Sequence, residues 1–395
     1  MGQREKNRRR SFTNVTQNPK EFGYYQVSNL EFFSKVEALE VSERINQPIT
    51  FHYNDEVFSS YDWTKEPSET ISQLYKRRVE QLVSQYDYIV LFYSGGADSH
   101  NMLMSFLESG HQPNEIVSFH SYEGDPDKTS VANRETFETA IPWVQHLKTS
   151  GQLNDSVPHR ILDLTQVILD FSKSIDWANF RYYINTVPSI NNVARAHLRK
   201  SVKEWQTIID SGKKLVLLWG HDKPRVAERN KKWIAEFVDV IDNCRSGWLQ
   251  MENPSGWYDE LFYSSPKLPE IVIKQSHIVK NYLTICPDND FKITKNVTGL
   301  GQHDRNGETW WLTQDGLSTI IYPHFNPKLY YEPKPMNSIH SKRDTWFFNK
   351  SEFAVNYNSE INKLIDQFSS KWILDNNRIK APNLIRSKSF CLSPR

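Results

Sequence analysis

The hexapeptide SGGADS at residues 94–99 has the clearest chemical pattern in the chain. It directly follows the apolar run YIVLFY and directly precedes a stretch with helical pattern at 100–110. Two consecutive glycines let a backbone turn tightly with its N–H groups pointing inward, and the N-terminus of a helix adds partial positive charge. Ser94 and Ser99 supply hydroxyl donors without negative charge. The pattern predicts a site for an anion such as phosphate.

Asp98 lies within this hexapeptide, although a carboxylate would repel a bare polyphosphate. A role as a Mg²⁺ ligand would explain why a carboxylate stands there, because magnesium sites commonly combine one or two carboxylates with phosphate oxygens. The Walker pattern GxxxxGK[ST] is absent from the chain, and GxGxxG does not follow a strand. These absences disfavour enzymes of the P-loop type and dinucleotide dehydrogenases. The structural alternative is an ordinary Gly-Gly turn between a strand and a helix.

A second polar cluster, GHDKPR at 220–225, follows the apolar run KKLVLLW. Charge that develops on an α-phosphoryl group and a leaving pyrophosphate needs cations and a metal near it. We therefore expect Asp222 to assist magnesium binding, and Lys223 and Arg225 to clamp phosphate, arginine in bidentate geometry. The alternative is a solvated turn that happens to carry charge.

Strands and helices alternate around both motifs. Continuous apolar runs predict strands buried on both faces, at residues 88–93, 115–122, 159–164 and 213–220. Strands that alternate with helical segments imply an α/β fold, a parallel twisted sheet with helices on both faces. Because ligands bind such sheets at the carboxyl ends of the strands, both motifs are expected at one edge.

The order strand, SGGxDS, helix resembles the PP-loop ATP pyrophosphatase superfamily, also called adenine nucleotide α-hydrolase-like. This superfamily includes the synthetase domains of asparagine, GMP and NAD synthesis and several tRNA-modifying enzymes. The resemblance implies a Rossmann-like nucleotide-binding domain that splits ATP between its α and β phosphates, adenylates an acceptor and releases pyrophosphate. It also implies that Ser94, Gly95, Gly96, Asp98 and Ser99 hold the pyrophosphate and its magnesium. With the inference from GHDKPR, the expected metal ligands are Asp98 and Asp222.

A second block, VPSINNVAR at 187–195, resembles the superfamily's Pro–Asn–Arg helix and makes Arg195 a candidate phosphate contact. In the superfamily, adenine lies against the strand after the motif helix, which here is 115–122. An alternative for the aromatic residues of that strand is an ordinary place in the core. The expected nucleotide contacts are Ser94, Gly95, Gly96, Ala97, Ser99, Ser118, Phe119, His120, Arg195, Gly220 and His221.

Departures from the superfamily's patterns narrow the expected chemistry. The three cysteines, Cys244, Cys286 and Cys391, form no CxxC pair, which disfavours sulfur transfer and a zinc site. Residue 2 is glycine, so the N-terminal cysteine of a glutaminase is missing. What remains is ATP-dependent amide or amine ligation, similar to an asparagine synthetase-type synthetase domain without its glutaminase. Its nitrogen would come from an external ammonia source or an amine substrate.

Three regions are expected, and the resemblance covers the second of them. Residues 1–85 form an extension with a basic tail and α+β character, 86–245 the ATP-binding α/β domain, and 246–395 an aromatic-rich region for acceptor recognition. The alternation of strand and helix is lost after about residue 245. A helical pattern returns at 350–376.

Composition limits the remaining classes. The 395 residues carry 48 basic and 47 acidic side chains, so net charge does not indicate nucleic acid as a partner. No run of about 18 uncharged apolar residues occurs, so no membrane span is expected. The low cysteine content favours a reducing, cytoplasmic setting.

Two alternatives to ligation stay open. The same adenylation step could modify a nucleobase in tRNA or DNA, which would show as salt-sensitive binding to nucleic acid. The chain could also be a regulatory protein that binds nucleotide without turnover. The retained acids and bases (Asp98, Asp222, Lys223 and Arg225) argue against this last reading.

Overall fold

The computed structural model describes residues 17–121, 133, 135–174, 202–220, 223–239, 256–285, 301–303, 310–312, 318, 320–325, 347, 352–353, 355–356, 359–360, 363, 366–367, 372–375, 378–382 and 385–394. In chain order its strands are β1 (Tyr24–Val27), β2 (Leu30–Phe32), β3 (Ile49–His52), β4 (Tyr88–Phe92), β5 (Glu115–His120), β6 (His159–Asp163), β7 (Leu215–Trp219), β8 (Arg225–Arg229), β9 (Lys232–Glu236), β10 (Trp257–Leu261), β11 (Gly301–His303), β12 (Trp310–Leu312), β13 (Trp372–Asp375), β14 (Arg378–Pro382) and β15 (Phe390–Pro394). Its helices are α1 (Lys35–Ile45), α2 (Asp55–Ser59), α3 (Ile71–Gln85), α4 (Ala97–Glu108), α5 (Ile141–Thr149), α6 (Thr165–Ser174), α7 (Lys203–Asp210) and α8 (Glu270–Ile285).

A five-stranded parallel sheet forms the centre of the fold, with the spatial order β10-β7-β4-β5-β6. All five residues of β7 are buried, as expected for a strand that is covered on both faces. Helices flank the sheet, so the α/β fold predicted from the sequence is confirmed.

The strand order reverses next to β4. From β4 the chain first builds outward through β5 and β6, then returns to add β7 on the other side of β4 and β10 beyond it. In open α/β sheets, ligands bind in the crevice at the carboxyl ends of the strands where the order reverses. The crevice of this sheet therefore lies between the ends of β4 and β7, which are the strands that precede the two polar motifs.

Strand β10 lies beyond residue 245, where the sequence pattern placed the end of the α/β domain. Its sequence, WYDEL, contains two acidic residues that read as surface. Both are buried because they have partners: Asp259 accepts from the Trp219 indole at 3.0 Å, and Glu260 from Arg78 at 2.7 Å. The partners come from elsewhere in the chain, so the segment does not look like a buried strand by itself.

Two three-stranded sheets and two two-stranded sheets accompany the central one among the described residues. Strands β1–β3 form an antiparallel sheet in the order β2-β1-β3, and the hairpin β8–β9 pairs with β15. The hairpin turns through Asn230 and Lys231, both with positive φ, which matches the twist of the flanking strands.

Nearer the C-terminus, Trp372–Asp375 is a strand (β13) paired with β14, so the helical pattern expected through residue 376 is wrong there. Its aromatic and β-branched residues suit a strand.

A sealed ion pair joins the N-terminal layer to the hairpin sheet. Lys35 Nζ lies 2.6 Å from Asp239 Oδ2, and the two side chains are 1% and 0% exposed. The Tyr25 hydroxyl donates to the same oxygen at 3.1 Å, and the main-chain N–H of Ile385 donates to Oδ1 at 3.2 Å. Three separate regions of the chain thus share one buried carboxylate.

Candidate functional site

The glycine-rich loop joins β4 to α4 and is held by its own serines. Ser99 Oγ donates to the Gly96 carbonyl at 3.0 Å and accepts from the main-chain N–H of Ser94 at 3.2 Å. Ser94 Oγ lies 3.2 Å from Ser99 Oγ and accepts from the N–H of Gly96 at 3.3 Å. The helix begins at Ala97. The two hydroxyls therefore stabilise the conformation of the loop, and they also lie beside the predicted anion site.

Gly95 needs to be glycine for two reasons. Its φ is +83°, a conformation that L side chains rarely adopt. A Cβ at this position would lie 2.8 Å from the carbonyl oxygen of Glu135, at the start of a π-helical turn that runs to Ala140. The loop after β4 is thus packed closely against the segment that follows β5.

Asp98, in the first turn of α4, is contacted by side chains from several other segments of the chain. Its Oδ1 lies 2.5 Å from Lys223 Nζ and accepts a hydrogen bond from the Tyr322 hydroxyl at 2.6 Å. Its main-chain carbonyl accepts from the Tyr263 hydroxyl at 2.7 Å. The Lys223 side chain is 3% exposed, whereas that of Asp98 is 35% exposed. The structure thus brings together two of the predicted catalytic residues, Asp98 and Lys223, at one edge of the sheet.

The end of β7 touches the same helical turn. A Cβ on Gly220 would lie 3.1 Å from the carbonyl oxygen of Asp98 and 3.3 Å from the Cα of Ser99. One residue earlier, Trp219 stacks on Phe92, the last residue of β4, with ring centroids 4.0 Å apart. The crevice between β4 and β7 is therefore closed at its base by aromatic packing and by the close approach of Gly220.

The electrostatic environment keeps both tyrosines protonated. Burial and the neighbouring Asp98 carboxylate raise the pKa of Tyr322 well above its ordinary value. Burial likewise raises the pKa of Tyr263, with Tyr75 and Asp98 adding to the effect. Both hydroxyls therefore act as donors, one to the side chain and one to the main chain of Asp98.

His100 follows Ser99 in α4 and is 3% exposed. Burial lowers its pKa to about 4, so its ring is neutral at pH 7. Its Nδ1 lies 3.1 Å from the Tyr93 hydroxyl, and its ring packs edge-on against Trp143. This histidine is part of the packing behind the loop.

The carboxyl end of β5, where the resemblance places adenine, is mostly occupied by internal contacts. Ser118 is fully buried, and its hydroxyl donates to the Tyr93 carbonyl at 2.5 Å and meets His159 Nε2 at 2.9 Å. Phe119 packs edge-on against Phe92. His120 lies 3.9 Å from Asp163 at the end of the neighbouring strand β6. Their roles in nucleotide binding stay a prediction.

Arg225 begins β8, two residues after Lys223, and lies opposite Glu236 of β9. Burial raises the pKa of Glu236, although the neighbouring guanidinium groups act in the other direction. Arg229 holds this carboxylate with two hydrogen bonds, at 2.9 and 2.8 Å. The proposed phosphate clamp by Arg225 remains a prediction. Arg195, His221 and Asp222 lie outside the described residues, so their predicted roles stay predictions too.

Two residues of the site, Tyr263 and Tyr322, were missed by the sequence reasoning. They stand 165 and 224 residues from Asp98 in the chain. Neither lies in a motif, and a tyrosine in an aromatic-rich segment reads as core. A local signal for their role is therefore missing from the sequence.

The residues at this edge fit a magnesium–nucleotide site. Among the described residues, no group of three or more histidine, cysteine, aspartate or glutamate side chains is placed to hold a metal ion by itself. Magnesium bound with a nucleotide does not need such a group, because phosphates and water supply most of its ligands. A single, partly exposed carboxylate at the start of a helix, such as Asp98, suits this arrangement.

Comparisons with known proteins find similarity to a solved structure. No family model matches the chain, and no curated protein matches it. The structure of NMN synthetase from Francisella tularensis is similar over 78% of this chain and 100% of that chain, at 12% sequence identity and a TM-score of 0.29. None of the described helices is long and apolar enough to cross a membrane. Fold and site by themselves define a doubly wound α/β protein with a glycine-rich loop at its switch point.

Proposed function

We propose that this protein binds ATP with Mg²⁺ at the switch point and cleaves it to AMP and pyrophosphate, adenylating an acceptor for amide or amine ligation. The observation that carries the proposal is the pairing of Asp98 with Lys223 beside the glycine-rich loop. It combines a carboxylate for a metal, an ammonium for phosphate and the N-terminus of a helix. These are the groups that stabilise charge developing on a transferring phosphoryl group.

Each group has a distinct role in this reaction. The main-chain N–H groups of the loop and the start of α4 bind the leaving pyrophosphate. Lys223 moves its ammonium from the Asp98 carboxylate to an oxygen of the α-phosphoryl group and neutralises it. Asp98 would hold Mg²⁺, which would supply further neutralisation of the phosphate charge. The partial exposure of Asp98 supports this exchange, because water and a hydrated cation can reach the carboxylate when Lys223 leaves it.

For the acceptor we propose only a chemical class, a small molecule or a nucleobase. We propose that residues 246–395 recognise it and that the nitrogen comes from an external ammonia source or from an amine substrate. Fold alone does not determine the acceptor of an enzyme.

A second candidate function is nucleotide binding without turnover. It is favoured by the position of Lys223, which is almost fully buried and already neutralises the carboxylate expected to bind magnesium. If that ion pair persists when nucleotide binds, the site holds nucleotide and performs no chemistry.

The test is the identity of the products from α-labelled ATP, with Mg²⁺ and a metabolite or nucleic-acid extract as the source of acceptor. We expect AMP and pyrophosphate, lost in Asp98→Ala. The control variant is Asp62→Ala, because Asp62 is an exposed aspartate in a turn and bonds to Thr64 two residues away.

ADP and phosphate as products would refute the proposal. Tight ATP binding without any cleavage would favour the second candidate. Salt-sensitive binding of the nucleic-acid fraction would assign the acceptor to the nucleobase class.

A further inference from the structure

Tyr322 reaches the candidate site from a segment remote in sequence, at residues 320–325. Ile321 and Tyr322 are 0% and 3% exposed. The Ile321 carbonyl accepts from the Tyr75 hydroxyl of α3 at 2.9 Å, and Gln275 of α8 donates to that same hydroxyl at 3.0 Å. His324 Nε2 lies 2.9 Å from Glu108 at the end of α4. Helices α3 and α4 thus hold the segment that carries Tyr322, and α8 supports the tyrosine through which α3 does so.

The Tyr322 hydroxyl and the Lys223 ammonium meet the same oxygen of Asp98, Oδ1. The carboxylate cannot rotate without breaking both contacts, so the direction of Oδ2 is also fixed. The Lys223 ammonium also lies 5.4 Å from the centroid of the Tyr322 ring, within the range of a cation–π contact. Tyr322 therefore contacts both members of the ion pair.

We propose that Tyr322 is a positioning residue for the metal-binding carboxylate of Asp98, an inference that rests on the proposed function. When Lys223 turns to phosphate, Asp98 loses the ammonium contact on Oδ1. The Tyr322 hydroxyl remains, and it keeps the carboxylate in the orientation that Mg²⁺ needs. Magnesium demands near-ideal octahedral geometry, so a carboxylate free to rotate binds it less well.

The test measures metal affinity separately from nucleotide affinity. Mn²⁺ replaces Mg²⁺, and the free ion is followed by electron paramagnetic resonance in the presence of α,β-methylene ATP, which resists cleavage at the α–β position. Nucleotide binding is measured a second time in EDTA. Tyr322→Phe keeps the ring and removes the donor.

We expect Tyr322→Phe to bind Mn²⁺ about tenfold more weakly in the ternary complex. Its nucleotide affinity in EDTA should stay within about twofold of the wild-type value, because the variant leaves the loop N–H groups in place. The matched control is Tyr53→Phe, which also removes a buried tyrosine hydroxyl, here one that donates to the Ser264 carbonyl at 2.5 Å. It should bind Mn²⁺ like the wild type.

The outcomes separate the two proposals. Equal Mn²⁺ affinity in the wild type and Tyr322→Phe overturns the positioning role and leaves the proposed function standing. Failure of the wild type to bind nucleotide with Mn²⁺ overturns both. If Tyr322→Phe does not fold, Tyr322→Met fills a similar volume without a donor and must show the same loss of metal affinity.

Discussion

Among the residues that the structure describes, two lysine–aspartate pairs have a buried lysine and a tyrosine hydroxyl on the carboxylate, and the two carboxylates differ in their access to water. In the pair Lys35–Asp239 both side chains are sealed, at 1% and 0% exposure. In the pair Lys223–Asp98 the lysine is buried but the aspartate is 35% exposed. The sealed carboxylate joins three regions of the fold, and the open one faces the crevice at the switch point. Access to the carboxylate, rather than the ion pair, therefore marks the candidate site.

Removing each lysine gives the largest contrast that we expect between the pairs. Lys35→Met leaves the Asp239 charge buried without its cation, which should lower the free energy of unfolding by about 3–5 kcal/mol. Lys223→Met leaves a carboxylate that water can reach, so the loss should be below about 1 kcal/mol. Chemical denaturation of both variants measures the difference. Equal losses would show that the two pairs play the same structural role.

When each aspartate is neutralised and activity is measured, the larger effect is expected at the open pair and the smaller at the sealed pair. Asp98→Asn should reduce AMP formation on the order of a hundredfold, because a neutral amide neither binds Mg²⁺ well nor pairs with Lys223. Asp239→Asn should destabilise the fold and leave the activity of each folded molecule within about twofold. Turnover per folded molecule, with the folded fraction taken from circular dichroism, provides the check. An active Asp98→Asn variant would contradict the proposed metal site.

Lowering the pH tests the burial of His100, the neighbour of Ser99 in α4. Its pKa of about 4 in the folded state is below the ordinary value of 6.5, so between these values the unfolded chain binds more protons. The free energy of unfolding should therefore fall as pH drops from about 6.5 to 4, by up to about 1.4 kcal/mol per pH unit from this residue. His100→Gln should show a shallower dependence in denaturation series at pH 7, 6 and 5. An unchanged slope would mean that His100 is not buried in neutral form.

The smallest expected effect concerns the tyrosine of the sealed pair. Tyr25→Phe removes a hydrogen bond of 3.1 Å to Asp239, which keeps Lys35 and the Ile385 N–H as partners. We expect a loss of about 1 kcal/mol in the free energy of unfolding and no change in Mn²⁺ affinity. A weaker ion affinity in this variant would show that the two regions are coupled.

The sequence predicts those parts of the site that depend on local pattern. Apolar runs locate β4 and β7, and the glycines mark the loop between β4 and α4. Parallel topology then places Asp98 and Lys223 at one edge of the sheet, where the structure has them. Each of these inferences requires a few consecutive residues and a general rule of sheet architecture.

Other parts depend on partners far away in the chain, and these are not predictable from local pattern. Asp239, Asp259 and Glu260 are acidic and read as surface, yet all three are buried against partners from other segments. Because β10 contains Asp259 and Glu260, its sequence does not indicate a strand of the central sheet. Tyr322 is indistinguishable in the sequence from the other tyrosines of an aromatic-rich chain. Only the folded structure shows which charges are compensated and by which partners.

The distance in sequence between Asp98 and Tyr322 has a consequence for biosynthesis. A ribosome adds about 5–20 residues per second, so the 224 residues between them take roughly 10–45 s to make. During that time the loop of residues 94–99 can form on β4 and α4, but Asp98 lacks the hydroxyl that orients it. Contacts of such long range form slowly as well, because a large loop has to close first. A nascent chain that ends before residue 322 therefore has the glycine-rich loop without the hydroxyl that completes the proposed metal site, and the proposed activity would arise late in synthesis.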